Sequence, residues 1–256
     1  MNQGEFQKII EEQNSVLVSI YNFASEKIIP LLANSQGLPR AEAALEVEYG
    51  QIYVWTELLV NMKKDPLYFG ITLSATRTIF ELYLDIQLLK KKNTNDVEKF
   101  YEFPQVSTFR AANKIVNSAK QEGLSLDGLL SDLKNHIDES SNRKKIERIA
   151  KKFWGSNKKG EINWPSHWSG MNRLQIARQA GPETHRLYLQ IYEPSSWGIH
   201  AHPTLVLGKS LDDLHILVAL AYAASSQTVV KATRICIEQI STLPSQLLVE
   251  LHRLSF

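Results

Sequence analysis

The chain has 256 residues, of which 43% are hydrophobic and 22% are charged, and its net charge at pH 7 is +2. This composition is ordinary for a soluble globular protein and excludes a polycation that binds nucleic acid with its whole surface. Twelve glycines and nine prolines are few for this length, which favours long helices over many short strands joined by turns.

The sequence also predicts the compartment. Cys236 is the single cysteine, so no intramolecular disulfide can form, which fits a reducing environment. Its neighbours follow an apolar helical pattern, which predicts a small buried side chain. Acidic residues lie near the N-terminus, where a signal peptide needs a basic and then an apolar run. The most apolar run, 214–224, is too short to span a bilayer, so we expect a cytoplasmic protein with no membrane partner.

Three helices are predicted in the first part of the chain from the spacing of apolar residues, at 5–33, 40–64 and 68–91. Pro30 either kinks or ends the first of them. The centre of the third helix is almost entirely apolar, with three charged exceptions: Arg77, Glu81 and Asp85. Because these three residues are spaced i, i+4 and i+8, they share one stripe of the helix.

The rest of the chain predicts a second group of helices, at 95–121, 125–154, 170–180, 183–193 and 210–240, with a short last helix after Pro244. Pro104 disturbs the first of these, and Gly181 with Pro182 separates the third from the fourth. No repeat, low-complexity tract or change of composition marks a linker. The predicted fold is all-α: one helical-bundle domain of about eight helices over residues 1–256, with 155–170 as the alternative boundary.

Basic residues are concentrated at the end of one predicted helix and in the loop after it, since residues 143–159 contain eight of them and a single acidic residue. One side of this helix is apolar, and the opposite side is basic: Lys144, Lys145, Arg148, Lys151 and Lys152. A solvated helix face explains most such runs. Binding of nucleic-acid phosphates is the alternative, because the charge lies on one side of one helix.

The segment 164–203 has a composition unlike the rest of the chain. It holds four of the seven histidines, three of the five tryptophans and four of the nine prolines. Helices pack without such residues in close succession, whereas polar and aromatic groups at a chain reversal are how a helical scaffold builds a site. Four tryptophans have two possible roles, either packing in the core or stacking on nucleic-acid bases: Trp154, Trp164, Trp168 and Trp197.

Arg77 and Glu81 have two candidate roles. Burying either charge alone in an apolar helix is costly, so we expect each to have a charged partner. In one interpretation the two residues form a structural ion pair that fixes helix orientation. In the other, Glu81 orients a histidine and Arg77 binds an anion.

His200 and His202 lie two positions apart and precede Pro203. In an extended segment both imidazoles point to the same side and, with Glu81 close in space, suit a metal ion. The alternatives are capping of helix ends and general acid–base chemistry at His200. The chain contains no glycine-rich phosphate loop and no cysteine-based zinc pattern, and we predict no bound cofactor.

The order of several short motifs resembles an uncharacterised prokaryotic family of helical proteins. The motifs run in this order along the chain: Arg77-x-x-x-Glu81, Trp168-Ser169-Gly170, an alanine-bearing helix that ends at Gly181, Tyr188, Tyr192, Ser195 or Ser196, and His200. This family is similar in turn to the HEPN superfamily, many members of which are metal-independent RNases in defence and toxin systems. The resemblance implies an HEPN-like core, a homodimer and a partner protein from a defence system.

The sequence therefore predicts a protein that acts on RNA or nucleotides and, if it is an enzyme, a ribonuclease-like hydrolase or phosphotransferase. His200 would act as general base or acid on a ribose 2′-hydroxyl, Arg77 would stabilise charge on the phosphate, and Glu81 would hold the imidazole. Hydrogen bonds would come from a further group of side chains: Tyr192, Ser195 and Ser196. The alternatives are a non-catalytic helical interaction module and a metal-dependent hydrolase that uses His200, His202 and Glu81.

Overall fold

A computed structural model of the protein describes residues 3–65, 68–91, 93–125, 127–192 and 211–254. Over these ranges the chain is mostly helical and forms no strand, apart from an isolated antiparallel bridge between Ser156 and Ile162. The predicted all-α, helical-bundle class is therefore confirmed.

The α-helices of the described residues are numbered here in chain order: α1 (Gln3–Phe23), α2 (Ile29–Ala33), α3 (Arg40–Asn61), α4 (Phe69–Leu89), α5 (Thr94–Gln121), α6 (Leu129–Asp138), α7 (Ser140–Trp154), α8 (Arg173–Ala180), α9 (Pro182–Leu187), α10 (Leu211–Gln239) and α11 (Gln246–Arg253). Two π-helical turns, Ala24–Ile28 and Tyr188–Tyr192, follow α1 and α9. The bounds of most helices lie within a few residues of those expected from the sequence.

The chain divides into two compact units. The first unit combines Met1–Lys92 with Arg173–Phe256, and the second unit is Asn93–Asn172. The second unit is therefore inserted between two halves of the first. The alternative boundary at 155–170 lies inside the second unit. That the two units form one domain stays a prediction.

The first unit is a bundle in which α1, α3, α4 and α10 pack on one another. α4 is apolar on nearly all sides and buries every residue from 82 to 89, so it is stable only at the centre of the bundle. Buried hydroxyl groups join the helices: Tyr49 lies 3.1 Å from Thr233, and Ser225 donates to Thr76 over 2.9 Å. Cys236 is buried, as its apolar surroundings predict.

Pro30 disturbs the first helix upstream of itself. A π-helical turn at Ala24–Ile28 precedes it, and α2 then continues with the proline in its first turn. Proline has no N–H to donate to the preceding turn, and a π turn accommodates the misfit without ending the helix. Pro104, by contrast, lies inside α5, which continues through it.

The second unit is built on the packing of α5, α6 and α7. Its core consists of buried apolar side chains from all three helices: Val106, Phe109, Ala112, Val116, Ile137, Ile146 and Ala150. The expectation of one helix over 125–154 is wrong. Glu139 has an extended backbone, with φ −60° and ψ 108°, which ends α6 and allows α7 to fold back onto α5.

Two helical stretches are long and apolar enough to cross a membrane by length and composition alone: Gln3–Ala33 and Asp213–Gln239. The apolar window of the second is 61% buried within the fold. A core helix of a soluble protein has the same length and composition. The two stretches therefore do not place the protein in a membrane.

Candidate functional site

The centre of the candidate site is the charged stripe on α4. Arg77 Nε donates to Glu81 Oε1 over 3.0 Å, and the two side chains keep 23% and 24% of their surface exposed. The spacing of four residues brings the two groups together on one face of the helix, as expected from the sequence. The pair is therefore half-buried in the first unit.

A second arginine, Arg173, joins this pair from the start of α8. Its Nη2 donates to Glu81 Oε2 over 3.0 Å, and its Nη1 lies 3.6 Å from Asp85 Oδ1. Glu81 thus accepts one arginine on each carboxylate oxygen. Asp85 is the third member of the stripe on α4 and is 8% exposed.

Sequence reasoning missed Arg173. The expected helix began at residue 170, so the sequence did not mark Arg173 as the first residue of α8, where the helix dipole disfavours a positive charge. Its carboxylate partners are Glu81 and Asp85. The spacing of residues along the chain does not predict these two partners, because Glu81 and Asp85 lie 92 and 88 positions before Arg173.

Tyr192 brings an aromatic hydroxyl to the same place. Arg77 Nη2 donates to the Tyr192 hydroxyl over 2.9 Å, and the guanidinium carbon lies 4.7 Å from the ring centroid. The ring also stacks on Tyr188, with centroids 4.9 Å apart and planes 17° from parallel. Burial and the negative charge of Glu81 raise the pKa of Tyr192, so the hydroxyl stays protonated near neutral pH.

Glu48 of α3 is the most deeply buried carboxyl group in this neighbourhood, with 4% of its surface exposed. Its Oε2 makes no hydrogen bond to any described residue. Burial and the negative charge of Asp85 raise the pKa of Glu48, Arg173 offsets part of the effect, and the resulting pKa is about 8. Glu48 is therefore protonated and neutral at neutral pH.

Glu81 has the opposite electrostatic balance. Burial acts to raise its pKa, but the charge of Arg173 and the hydrogen bond and charge of Arg77 outweigh burial and lower it. Glu81 is consequently ionised at neutral pH between two guanidinium groups. We call the set formed by Glu48, Arg77, Glu81, Asp85 and Arg173 the arginine cluster.

Several residues of the predicted site lie outside the described residues: Ser195, Ser196, His200 and His202. Their approach to Arg77 and Glu81 stays a prediction, as does a metal held by the two histidines with Glu81. Within the described residues, no group of three or more His, Cys, Asp or Glu side chains is placed to hold a metal ion. Of the predicted site residues, the structure thus brings Arg77, Glu81 and Tyr192 together.

The basic side of α7 lies in the second unit, and its five residues are all exposed: Lys144, Lys145, Arg148, Lys151 and Lys152. We call these residues the basic face. Lys152 approaches Glu98 within 3.6 Å, and the neighbouring Arg143 donates to Glu147 over 2.9 Å. The opposite side of α7 packs into the core through Ile146 and Ala150, so the helix separates into two faces as predicted.

The tryptophans of the second unit are packing residues in this structure. Trp168 is buried, Trp154 Nε1 donates to the Trp168 carbonyl over 2.9 Å, and Trp164 stacks on Phe109. Gly170 follows Trp168 and Ser169 with a positive φ of 76°, and a Cβ there would lie 3.3 Å from the Trp154 ring. The Trp-Ser-Gly motif thus shapes a tight turn against Trp154. Trp197 lies outside the described residues.

Comparison with known proteins places the chain in a family. None of the curated proteins and none of the solved structures matches the chain. A family of unknown function, DUF5677, matches residues 58–213, a range that contains Arg77, Glu81, Arg173 and Tyr192. Because the match covers more than half of the chain, the expectation of an uncharacterised helical family is confirmed, and the protein belongs to the DUF5677 family.

Proposed function

We propose that the protein acts on RNA or nucleotides, with Arg77 of the arginine cluster as the group that meets the phosphate. The observation that carries the proposal is the convergence of Arg77 and Arg173 on Glu81, half-buried in the first unit, with the Tyr192 hydroxyl accepting from Arg77. Guanidinium groups held in a low-dielectric setting are well suited to phosphate oxygens.

In the proposed reaction, His200 removes the proton of a ribose 2′-hydroxyl, whose oxygen attacks the adjacent phosphorus. The bond from phosphorus to the 5′-oxygen breaks and leaves a 2′,3′-cyclic phosphate. The leaving oxygen takes a proton from solvent, to which His200 returns the proton that it removed. Arg77 stabilises the charge that develops on the phosphate oxygens. Tyr192, Ser195 and Ser196 supply hydrogen bonds, and Glu81 orients the imidazole. Ser195 lies only three residues after Tyr192 in the chain, and this closeness in sequence supports assigning the two side chains to one site.

The basic face supports a nucleic-acid substrate rather than a free nucleotide alone. Its five side chains are exposed on one side of α7, where they suit contacts with successive phosphates of an RNA strand. The resemblance to HEPN proteins further supports a metal-independent endoribonuclease. On the same basis we propose a cytoplasmic homodimer that works in phage defence with a partner protein of the same system.

One observation favours the rival function, a non-catalytic interaction module. The outer side of α3 exposes Val47 by 49%, Val54 by 58% and Leu58 by 40%. These residues are spaced at helical intervals and form an apolar stripe on the surface. A protein partner that covers this stripe would explain it without any catalysis.

Turnover of RNA in the presence of EDTA tests the proposal. We expect the purified protein to cleave single-stranded RNA with EDTA present, and we expect His200→Ala and Arg77→Ala to lose cleavage at matched folded fraction. His252→Ala is the control, since His252 is exposed on α11 in the first unit. Loss of cleavage on adding EDTA would favour the metal-dependent hydrolase. If no RNA or nucleotide is turned over, the result would favour the non-catalytic interaction module.

A further inference from the structure

Two buried polar atoms of the arginine cluster lack hydrogen bonds among the described residues. One is Glu48 Oε2, on a side chain that is 4% exposed, and the other is Arg173 Nη1. The Nη1 group lies 3.6 Å from Asp85 Oδ1, which is beyond hydrogen-bond range. Most buried polar groups in folded proteins have a partner, so an acceptor and a donor left open in one cluster need a physical explanation.

The number of charges in the arginine cluster explains why these two atoms are left open. With Glu48 protonated, the carboxylates of Glu81 and Asp85 balance the guanidinium groups of Arg77 and Arg173. With Glu48 ionised, three carboxylates face two guanidinium groups. An unbalanced charge in a buried site is costly, so a guanidinium group of the cluster that has an open donor is drawn toward it. That group is Arg173, because its Nη1 is the open donor.

We propose that Glu48 and Arg173 are positioning residues of the Arg77–Glu81 site. Protonated Glu48 leaves Arg173 on Glu81 and Asp85, whereas ionised Glu48 draws Arg173 away from Glu81. Neither residue touches the substrate, and both act through Glu81 on Arg77. The inference rests on the proposed function for what the site does, but its first test reads Arg77 directly and needs no activity.

The titratable groups that α1 and α10 place against α3 stay uncharged and therefore do not change the charge balance around Glu48. α10 presents Tyr222 and Cys236 to α3, and burial raises the pKa of both, that of Tyr222 to about 12. α1 presents Tyr21, whose pKa is raised by its hydrogen bond with Tyr53 and by burial. All three stay neutral while Glu48 titrates. The charges that act on Glu48 are therefore those of Asp85 on α4 and Arg173 on α8.

The consequence is a site in which Arg173 binds Glu81 at neutral pH and leaves it at alkaline pH. Burial and the charge of Asp85 raise the pKa of Glu48 to about 8, so Glu48 is neutral below that pH. As the pH rises through this value, Arg173 moves toward Glu48 and releases one oxygen of Glu81. The freed charge of Glu81 then holds Arg77 more strongly and opposes its contact with a phosphate.

The test is a titration of the arginine Nε–H resonances by ¹⁵N NMR, with the Arg77 resonance assigned by its loss in Arg77→Lys. We expect the Arg77 resonance of the unmodified protein to move in one step with a midpoint near 8. The step should be absent in Glu48→Gln, which fixes the neutral state. The matched control is Glu42→Gln, another buried carboxyl group on α3, whose Oε2 accepts from Ser241 N and Oγ. That variant should keep the step.

The inference is overturned if the Arg77 resonance shows no step in the unmodified protein, or if the step persists unchanged in Glu48→Gln. If Glu48→Gln does not fold, Glu48→Asp replaces it. The shorter side chain keeps an ionisable group but withdraws it from Arg173, so the midpoint must move. An unmoved midpoint in Glu48→Asp contradicts the proposal equally.

A second readout separates this inference from the proposed function. If the protein cleaves RNA, its rate should fall about tenfold when the pH is raised one unit above the pKa of Glu48, and Glu48→Gln should remove that fall. A step in the Arg77 resonance without any RNA turnover defeats the proposed function and supports the positioning of Arg77. Turnover without the step defeats the inference and supports the function.

Discussion

Two Arg–Glu pairs with the same spacing lie in different surroundings. Arg77–Glu81 in α4 and Arg143–Glu147 in α7 are both i,i+4 pairs, with N–O distances of 3.0 Å and 2.9 Å. The first pair keeps about a quarter of each side chain exposed and shares its carboxylate with Arg173, whereas the side chains of the second are 54% and 32% exposed. Geometry within the pair is therefore a poor guide to its role.

The difference between the two pairs is the difference between the arginine cluster and the basic face. Charges removed from water must be balanced by specific partners, so the cluster fixes the positions of α4, α8 and the turn that holds Tyr192. Exposed charges are screened by water and salt and fix little. They remain available for an external ligand. The four predictions below run from the largest expected effect on stability to the smallest, with the pH dependence compared per pH unit.

Glu81→Gln should have the largest effect. The change removes the carboxylate between Arg77 and Arg173, so Arg77 loses its charged partner on α4 and Arg173 keeps Asp85 alone. We expect a loss of about 3 kcal/mol in the free energy of unfolding, which is a fall of about 6–12 °C in melting temperature for a chain of this size. Thermal unfolding followed by circular dichroism measures it.

Glu147→Gln in α7 is the matched control, since it removes the same group from the same spacing at the surface. We expect its free energy of unfolding to change by less than about 0.5 kcal/mol. Equal losses in the two variants would mean that burial does not distinguish the pairs.

Glu48 should make stability depend on pH. Its pKa is near 8 in the folded protein and about 4.3 in the unfolded chain, so the folded state binds more protons between these values. Stability must therefore fall as the pH rises from the lower value to the higher, by at most about 1.4 kcal/mol per pH unit. Denaturant unfolding of the unmodified protein across this window measures the slope.

Glu48→Gln should flatten that slope and make the variant more stable than the unmodified protein above the folded-state pKa. Glu42→Gln should retain the slope, because Glu42 lies in the first turn of α3 with its carboxylate hydrogen-bonded to Ser241. A slope that survives in Glu48→Gln would assign the pH dependence to another group.

Tyr192→Phe should have a moderate effect. The substitution removes the hydroxyl that accepts from Arg77 over 2.9 Å but keeps the ring that stacks on Tyr188. We expect a loss of about 1 kcal/mol in the free energy of unfolding. Tyr21→Phe is the comparison, since it removes an exposed hydrogen bond of 3.0 Å to Glu57 and should change stability less. Calorimetric melting measures the loss of stability in both variants. A larger loss in Tyr21→Phe than in Tyr192→Phe would contradict the prediction.

Charge reversal on the basic face should have the smallest effect on stability and a large one on RNA binding. We expect the combined change to Glu at Lys144, Lys145, Arg148 and Lys152 to abolish retention of RNA at low salt. The fold should persist, because these side chains are exposed. For the unmodified protein, log affinity should fall against log salt with a slope of about −0.7 for each phosphate contacted on a single strand.

A matched pair of double variants localises that effect. Lys144→Glu with Arg148→Glu reverses two charges of the basic face, and Lys114→Glu with Lys120→Glu reverses two exposed charges on α5 of the same unit. The first should weaken binding far more than the second. Equal weakening, or a flat dependence on salt, would leave the basic face as an ordinary solvated surface.

The sequence was a good guide to local structure. Apolar spacing placed the long helices, and the i, i+4, i+8 spacing of Arg77, Glu81 and Asp85 predicted their shared stripe. It was a poorer guide where the backbone can turn in more than one way, as at Glu139, because no proline or glycine marks that turn. The site was predictable only in part, since Arg173 and Glu48 reach it from helices far away in the chain.

By itself, the sequence determined the helical class, the two faces of α7 and the shared stripe of Arg77 and Glu81. Each depends on residues within a few turns of one another, where the helical period alone fixes which side chains meet. Only the tertiary structure decided which of these charges are buried, and that Arg173 and Glu48 join the cluster. Burial depends on how helices distant in sequence pack together, and the same i,i+4 spacing is compatible with a solvated pair and with a buried one.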